Sequence, residues 1–165
     1  MNTSNPSSDG SISPQQIANK LAGLDFLKGL CEGVHPAPPF AAATDIWMAA
    51  VESGRVVFEA SPSSRFYNPL GTVHGGWIST LLDSAMGCAV HSVLKPGQAY
   101  ATVDMTVTFV RPVFEKTGRL ICEGKIIHVG GRIATAEGRV VDQAGTLIAH
   151  GSETCMVMAL PATPS

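Results

Sequence analysis

A chain of 165 residues with 45% hydrophobic and only 15% charged side chains is long enough for one domain with a real core. Its charge is low enough that some apolar surface should be covered by self-association. A net charge of −2, a pI near 6.2 and a mean hydropathy of +0.20, with no cluster of Lys and Arg, exclude the electrostatic footprint of a nucleic-acid binder.

Cys31, Cys88, Cys122 and Cys155 form no CxxC motif, and His35, His74, His91, His128 and His150 form no HxH or HxxxH. The cysteines therefore read as reduced core or near-core thiols, and no metal site is expected. The first residues lack the charged start and apolar run of a signal peptide, and no uninterrupted apolar stretch reaches membrane-spanning length. A cytoplasmic protein that does not enter the membrane is expected.

Residues 1–13 are rich in Ser and Asn and are expected to be a disordered tail. Ser13-Pro14 then reads as a helix start, with the proline at the first helical position. Ile17, Leu21, Leu24, Phe26, Leu27 and Leu30 form an apolar stripe that ends at Gly33 and the prolines at 36, 38 and 39. Residues 14–41 are thus taken as an N-terminal helix and linker, and 42–160 as the main domain. Thr44–Glu52 and Arg55–Ala60 read as strands joined by a hairpin at Ser53-Gly54.

Pro69 and Gly71 mark a turn before a long helical pattern. Ile78, Leu81, Leu82, Ala85, Met86, Ala89 and Val90 recur at spacings of three and four. From Gly75 to Leu94 the one residue ionised at neutral pH is Asp83, so the helix should be buried on most sides. A carboxylate in such company costs free energy unless it is paired or hydrogen-bonded. It is either a working group or a structural one that caps a loop or meets an arginine.

Lys95-Pro96-Gly97 breaks this helix, and strands fill most of the remainder. Val103, Met105, Val107 and Phe109 alternate with Thr102, Asp104, Thr106 and Thr108, predicting one apolar and one polar face. Arg119–Val129, the turn Gly130-Gly131, Arg132–Val141, the turn Asp142–Gly145 and Thr146–Met158 follow. Two helices and about six strands, the later ones succeeding each other as a meander, predict an α+β fold with one long helix against one twisted antiparallel sheet.

A helix start offers unpaired backbone N–H groups and the positive end of its dipole. Gly75 and Gly76 leave those donors open to a carbonyl oxygen, as an oxyanion hole requires, although the same pair could simply shape the turn. Asp83 lies eight residues further on, about 12 Å along the same axis. One helix cannot set both groups around one carbonyl carbon, because reacting atoms must lie about 3–3.5 Å apart. Two antiparallel copies can, so a site using both must lie between subunits.

Asn68, His74-Gly75-Gly76, Asp83, Thr102-Val-Asp-Met and Phe109-Val-Arg111-Pro112, in this order and spacing, resemble the hotdog-fold acyl-CoA thioesterases of the phenylacetate-degradation type. The resemblance spans Thr44 to Met158. It implies a helix wrapped by a curved antiparallel sheet, and dimers with a continuous sheet or dimers of those dimers. It also implies hydrolysis of a thioester between an acyl group and coenzyme A, which is part of the substrate, so no separate cofactor is expected.

Residue by residue, it makes Asp83 the nucleophile or the general base that activates water. The Gly75 amide would polarise the thioester carbonyl, and His74 would orient that loop or touch the thioester. Asn68 would bind the water or the thioester from the partner subunit, and Thr102 would hold the attacking water. Arg111 and the hairpin Gly130-Gly131-Arg132 correspond to places where such proteins hold the nucleotide and pantetheine arm. Trp77, Phe66, Tyr67, Met86 and the N-terminal helix are candidates for the acyl pocket, where aromatic rings would suit an aromatic or medium-chain group, and the same residues could equally be core. Two other functions fit the same fold, a hydratase or dehydratase of acyl thioesters and a non-catalytic acyl-CoA sensor. The first uses an Asp and a His about one helical turn apart, a pattern not found here. The second would be expected to lack the carboxylate.

Overall fold

The computed structural model describes residues 17, 18 and 20–160. The expected tail at 1–13 and the helix start at Ser13-Pro14 lie outside them. One six-stranded antiparallel sheet curves around a central helix. Helices α1 (Gly23–Cys31) and α2 (Pro39–Thr44) precede strands β1 (Ile46–Glu52) and β2 (Arg55–Ala60). Helix α3 (Gly75–His91) comes next, then β3 (Gln98–Phe109), β4 (Leu120–Val129), β5 (Ile133–Asp142) and β6 (Leu147–Ala159). No helix among the described residues is long and apolar enough to cross a membrane.

Helix α3 is apolar on most sides because most sides are covered. Leu81, Leu82, Ala85, Met86, Ala89 and Val90 are fully buried, against Val56, Leu120, Cys122, Ala136 and Val140 of the sheet. Removing one such leucine side chain would cost about 2–5 kcal/mol. The helix lies so close to β4 that a side chain on Gly124 would strike the Ala85 carbonyl. Glycine there is what lets backbone meet backbone.

The strands run in the order β1-β2-β4-β5-β6-β3. The expected meander therefore holds for β4, β5 and β6, whereas β3 pairs with β6 and forms the far edge. Strand β3 follows α3 directly, so it closes the sheet beside the helix instead of entering its middle.

Two further expectations change. The segment after Gly33 was expected to be a linker running straight into a strand, yet α2 forms there. Pro39 opens it with a preset φ, and Asp45, in the left-handed region at φ 54°, ends it. The strict alternation expected along β3 is also broken. Thr102 pairs with Cys155 but Asp104 pairs with Thr154, so the register slips by one residue at Val103. Thr102 consequently shares the inner face with Met105 and Val107, while Val103 is 55% exposed.

Candidate active site

The start of α3 is built by its own loop. Asn68 Oδ1 accepts from the Leu70 and Thr72 amides, and its Nδ2 donates to Thr72 Oγ1 at 2.9 Å. This side chain thus ties down the turn that delivers His74. The His74 Nδ1 accepts from the Gly76 amide at 2.8 Å and caps the helix, which leaves the imidazole N–H on Nε2. The Trp77 amide goes to the His74 carbonyl. Among the described residues no hydrogen bond takes the Gly75 N–H. It opens on a cavity of about 330 Å³ whose walls include Asn68, Ile78, Phe109 and Arg111. A Cβ on Gly75 would come within 3.1 Å of Phe109 Cζ.

Asp83, two turns on, opens on a different cavity of about 430 Å³. Leu30, Cys31, Phe40 and Ala41 of α1 and α2 cover it, Met48 and Phe58 back it, and Cys88 and Tyr100 flank the carboxylate. Asp83 is the one charged side chain among the described residues lining it. The N-terminal helix, a candidate for the pocket, supplies Leu30 and Cys31 to this wall. Of the two places open to Trp77 and Met86, the core holds both, at 6% and 0% exposure. Trp77 is held by its Nε1 donating to the Thr44 carbonyl and by stacking on Phe66. Its aromatic place in the cavity wall is taken by Phe40, Trp47, Phe58 and Tyr100.

The slip at Val103 brings Thr102 to Asp83. The threonine Oγ1 lies 3.2 Å from Asp83 Oδ1 and 2.8 Å from Glu153 Oε1. Glu153, on β6, is 2% exposed, and its Oε2 has no partner among the described residues. Burial raises its pKa, an effect partly offset by its hydrogen bonding with Cys155 and Thr102 and reinforced by the Asp83 charge. Burial first, then the charges of Asp83 and Glu153, pushes the Cys88 thiol up to about 12. Cys88 is therefore a neutral wall group and not a nucleophile. Sequence reasoning missed Glu153. Its signal was the inward set Ala149, Gly151, Glu153, Cys155 and Val157, in which it is the one charged member.

Arg111 sits at the mouth of the Gly75 cavity, where it donates to the Leu147 carbonyl at 2.8 Å. Gly130, Gly131 and Arg132 form the β4–β5 turn, and the Arg132 carbonyl accepts from the Val157 amide. Two residues on, Ala134 pairs with Cys155, which pairs with Thr102. The hairpin thus belongs to the Asp83 end of the protomer and Arg111 to the Gly75 end. The two cavities share no lining residue. Within one protomer the amide and the carboxylate do not meet.

Residues 70–149 match the model of the thioesterase superfamily. Acyl-coenzyme A thioesterase 13 of Mus musculus is 30% identical over 102 residues, covering 61% of this chain and 71% of that protein. The chain belongs to the thioesterase superfamily. A protein of Halobacterium salinarum provisionally named an esterase is 41% identical over 88 residues, which are 52% of this chain. The match spans only 56% of that archaeal protein's own length. The fold agrees with a phenylacetic acid degradation-related protein of Ralstonia eutropha, at a TM-score of 0.71 and 25% identity. That superposition covers 78% of this chain and 97% of the other. The helix-in-sheet architecture is the hotdog fold that the resemblance implies.

Proposed function

We propose that this protein hydrolyses acyl-CoA thioesters to the free acid and coenzyme A, with an aromatic or medium-chain acyl group. The observation that carries this is Asp83, the one charge among the described residues lining an apolar cavity of about 430 Å³, on a helix whose first amide has no acceptor among those residues. The cavity volume falls within the usual range for small-molecule sites, and its aromatic wall favours flat or flexible apolar groups over polar ones. Asp83 acts as nucleophile or as general base towards water, with Thr102 helping to hold that water. The Gly75 amide receives the charge that develops on the carbonyl oxygen, and His74 keeps the amide pointed outward. Asn68 shapes the loop and offers its remaining N–H.

The working site lies between two copies in a dimer or a dimer of dimers, each supplying what the other lacks. Support comes from the separation of the two cavities and from β3, a twelve-residue edge strand with β6 as its one partner among the described residues. In a head-to-tail pair, Arg111 of one copy and the Gly130-Gly131-Arg132 hairpin of the other flank the same opening and suit the nucleotide phosphates. Coenzyme A arrives with the substrate, so no further cofactor takes part. The reaction is assigned to the cytoplasm.

Thiol release from a panel of acyl-CoAs tests the reaction, with Asp83→Asn beside the native chain. Mixing Asp83→Asn with Gly75→Val tests the shared site. Random reassociation of two inactive chains should restore about a quarter of native activity if each site draws on both copies, and none if each is complete in one chain.

A further inference from the structure

Thr102 has one hydroxyl hydrogen and two carboxylates within reach, Asp83 Oδ1 at 3.2 Å and Glu153 Oε1 at 2.8 Å. If both carboxylates were ionised, the hydroxyl could satisfy only one, and the other would face an oxygen lone pair at short range. A proton on one carboxylate removes the conflict. Glu153 is the one placed to keep it, being 2% exposed with an Oε2 that has no partner among the described residues, while Asp83 opens on the cavity. We propose that Glu153 is a positioning residue, held as the neutral acid, that donates to Thr102 so that the threonine hydroxyl points permanently at Asp83 Oδ1.

The chain of donors then runs one way, Glu153 Oε1–H to Thr102 Oγ1, and Thr102 Oγ1–H to Asp83 Oδ1. Each bond polarises the next. Asp83 Oδ1 is thereby fixed, and Oδ2, for which no described hydrogen bond exists, is the oxygen left for the reaction. The Cys155 thiol can still donate to the same Glu153 oxygen.

Among the described residues the surroundings supply no cation to draw the proton off. The other titratable groups facing this cluster are Cys88 of α3, Tyr100 of β3 and Cys155 of β6, each kept neutral chiefly by burial. Strand β5 brings Ala134 and Ala136 to the same inner face, and β3 sets Met105 opposite Glu153.

The arrangement has a chemical consequence. When alkali removes the Glu153 proton, its oxygen becomes the nearer acceptor and the Thr102 hydroxyl turns away from Asp83. The inference rests on Asp83 as the reacting carboxylate, so its test needs one arm that does not depend on turnover. That arm is infrared spectroscopy of the resting protein at neutral pH. A carbonyl stretch of a buried, protonated carboxylic acid is expected, and it should vanish in Glu153→Gln.

The kinetic arm compares Glu153→Gln, whose amide still donates, with Glu153→Met, which cannot. The glutamine variant should keep kcat within about threefold and lose the alkaline fall in rate. The methionine variant should lose about tenfold in kcat with KM unchanged, the worth of one directed hydrogen bond. No protonated-acid band, a glutamine variant as impaired as methionine, or an alkaline limb that survives in glutamine would overturn the proposal. Full turnover by Asp83→Asn would instead overturn the role of Asp83, while the infrared band would still decide the protonation of Glu153.

Discussion

Thr102 on strand β3 and Asp83 on helix α3 meet across the inner face of the sheet, oxygen to oxygen at 3.2 Å. Replacing the threonine by valine keeps its shape and removes this donor. Thr102→Val should lower kcat by about tenfold and cost about 1 kcal/mol in stability, because the Glu153 acid then loses an acceptor. Steady-state kinetics beside urea denaturation measures both effects.

Asp83 itself carries the larger share. Asp83→Asn preserves volume and hydrogen bonding but can neither attack a carbonyl nor take a proton from water. Thiol release should fall by about 10²–10⁴-fold. The fold should survive, since the side chain lines a cavity and forms no ion pair among the described residues. Circular dichroism and sedimentation would confirm that only the chemistry was lost.

At Gly75 a methyl group would come 3.1 Å from the rim of Phe109, a ring that is 51% exposed and therefore free to swing. Gly75→Ala should leave stability within about 0.5 kcal/mol of native. It should lower kcat/KM by about tenfold, because the ring moves within the cavity on which the amide opens. Thermal melting and progress curves separate the two results.

The wall of the Asp83 cavity offers a test of acyl selection. Cys31 lines it from α1, and Cys31→Trp would fill much of the space. Longer and aryl acyl groups should lose at least about tenfold in kcat/KM, with acetyl-CoA little changed, since a lost methylene contact is worth about 1 kcal/mol or more. A panel of chain lengths reads this directly.

His91 ties stability to pH. Its imidazole lies between the rings of Phe26 and Tyr100, at 5.7 and 5.8 Å, and its buried Nε2 has no partner among the described residues. Burial lowers its pKa, so the folded protein refuses a proton that the unfolded chain accepts near pH 6.5. More protons are then bound by the unfolded state, and stability falls as pH drops through that value and below it. The melting temperature should decline between about pH 7.5 and about pH 5.5, and the decline should be shallower in His91→Leu.

The strands were legible because β-branched runs and glycine turns punctuate them. The predicted Arg55–Ala60 coincides with β2, and the predicted bounds of β4, β5 and β6 lie within one residue of those observed. The central helix announced itself by its missing charge. Helix α2 did not, since six residues opening on Pro39 carry too little periodicity to stand out from a proline-rich linker. The inward turn of Thr102 was hidden because a register slip depends on the partner strand and leaves no mark in local alternation. Glu153 was overlooked for a related reason. One acid in a strand looks like a solvent-facing residue until the strand's inner face is known. The cavity wall likewise depended on packing, which sent Trp77 to the core and brought Tyr100 from β3 to the carboxylate.

The slip at Val103 means that β3 carries one residue more than its neighbour needs. Losing Val103 would straighten the strand and still leave Thr102, Asp104 and Met105 on the sides they now occupy. Gaining a residue here would instead exchange inside for outside over one flank of the strand. The strand is therefore expected to tolerate a one-residue deletion at this point and not a one-residue insertion.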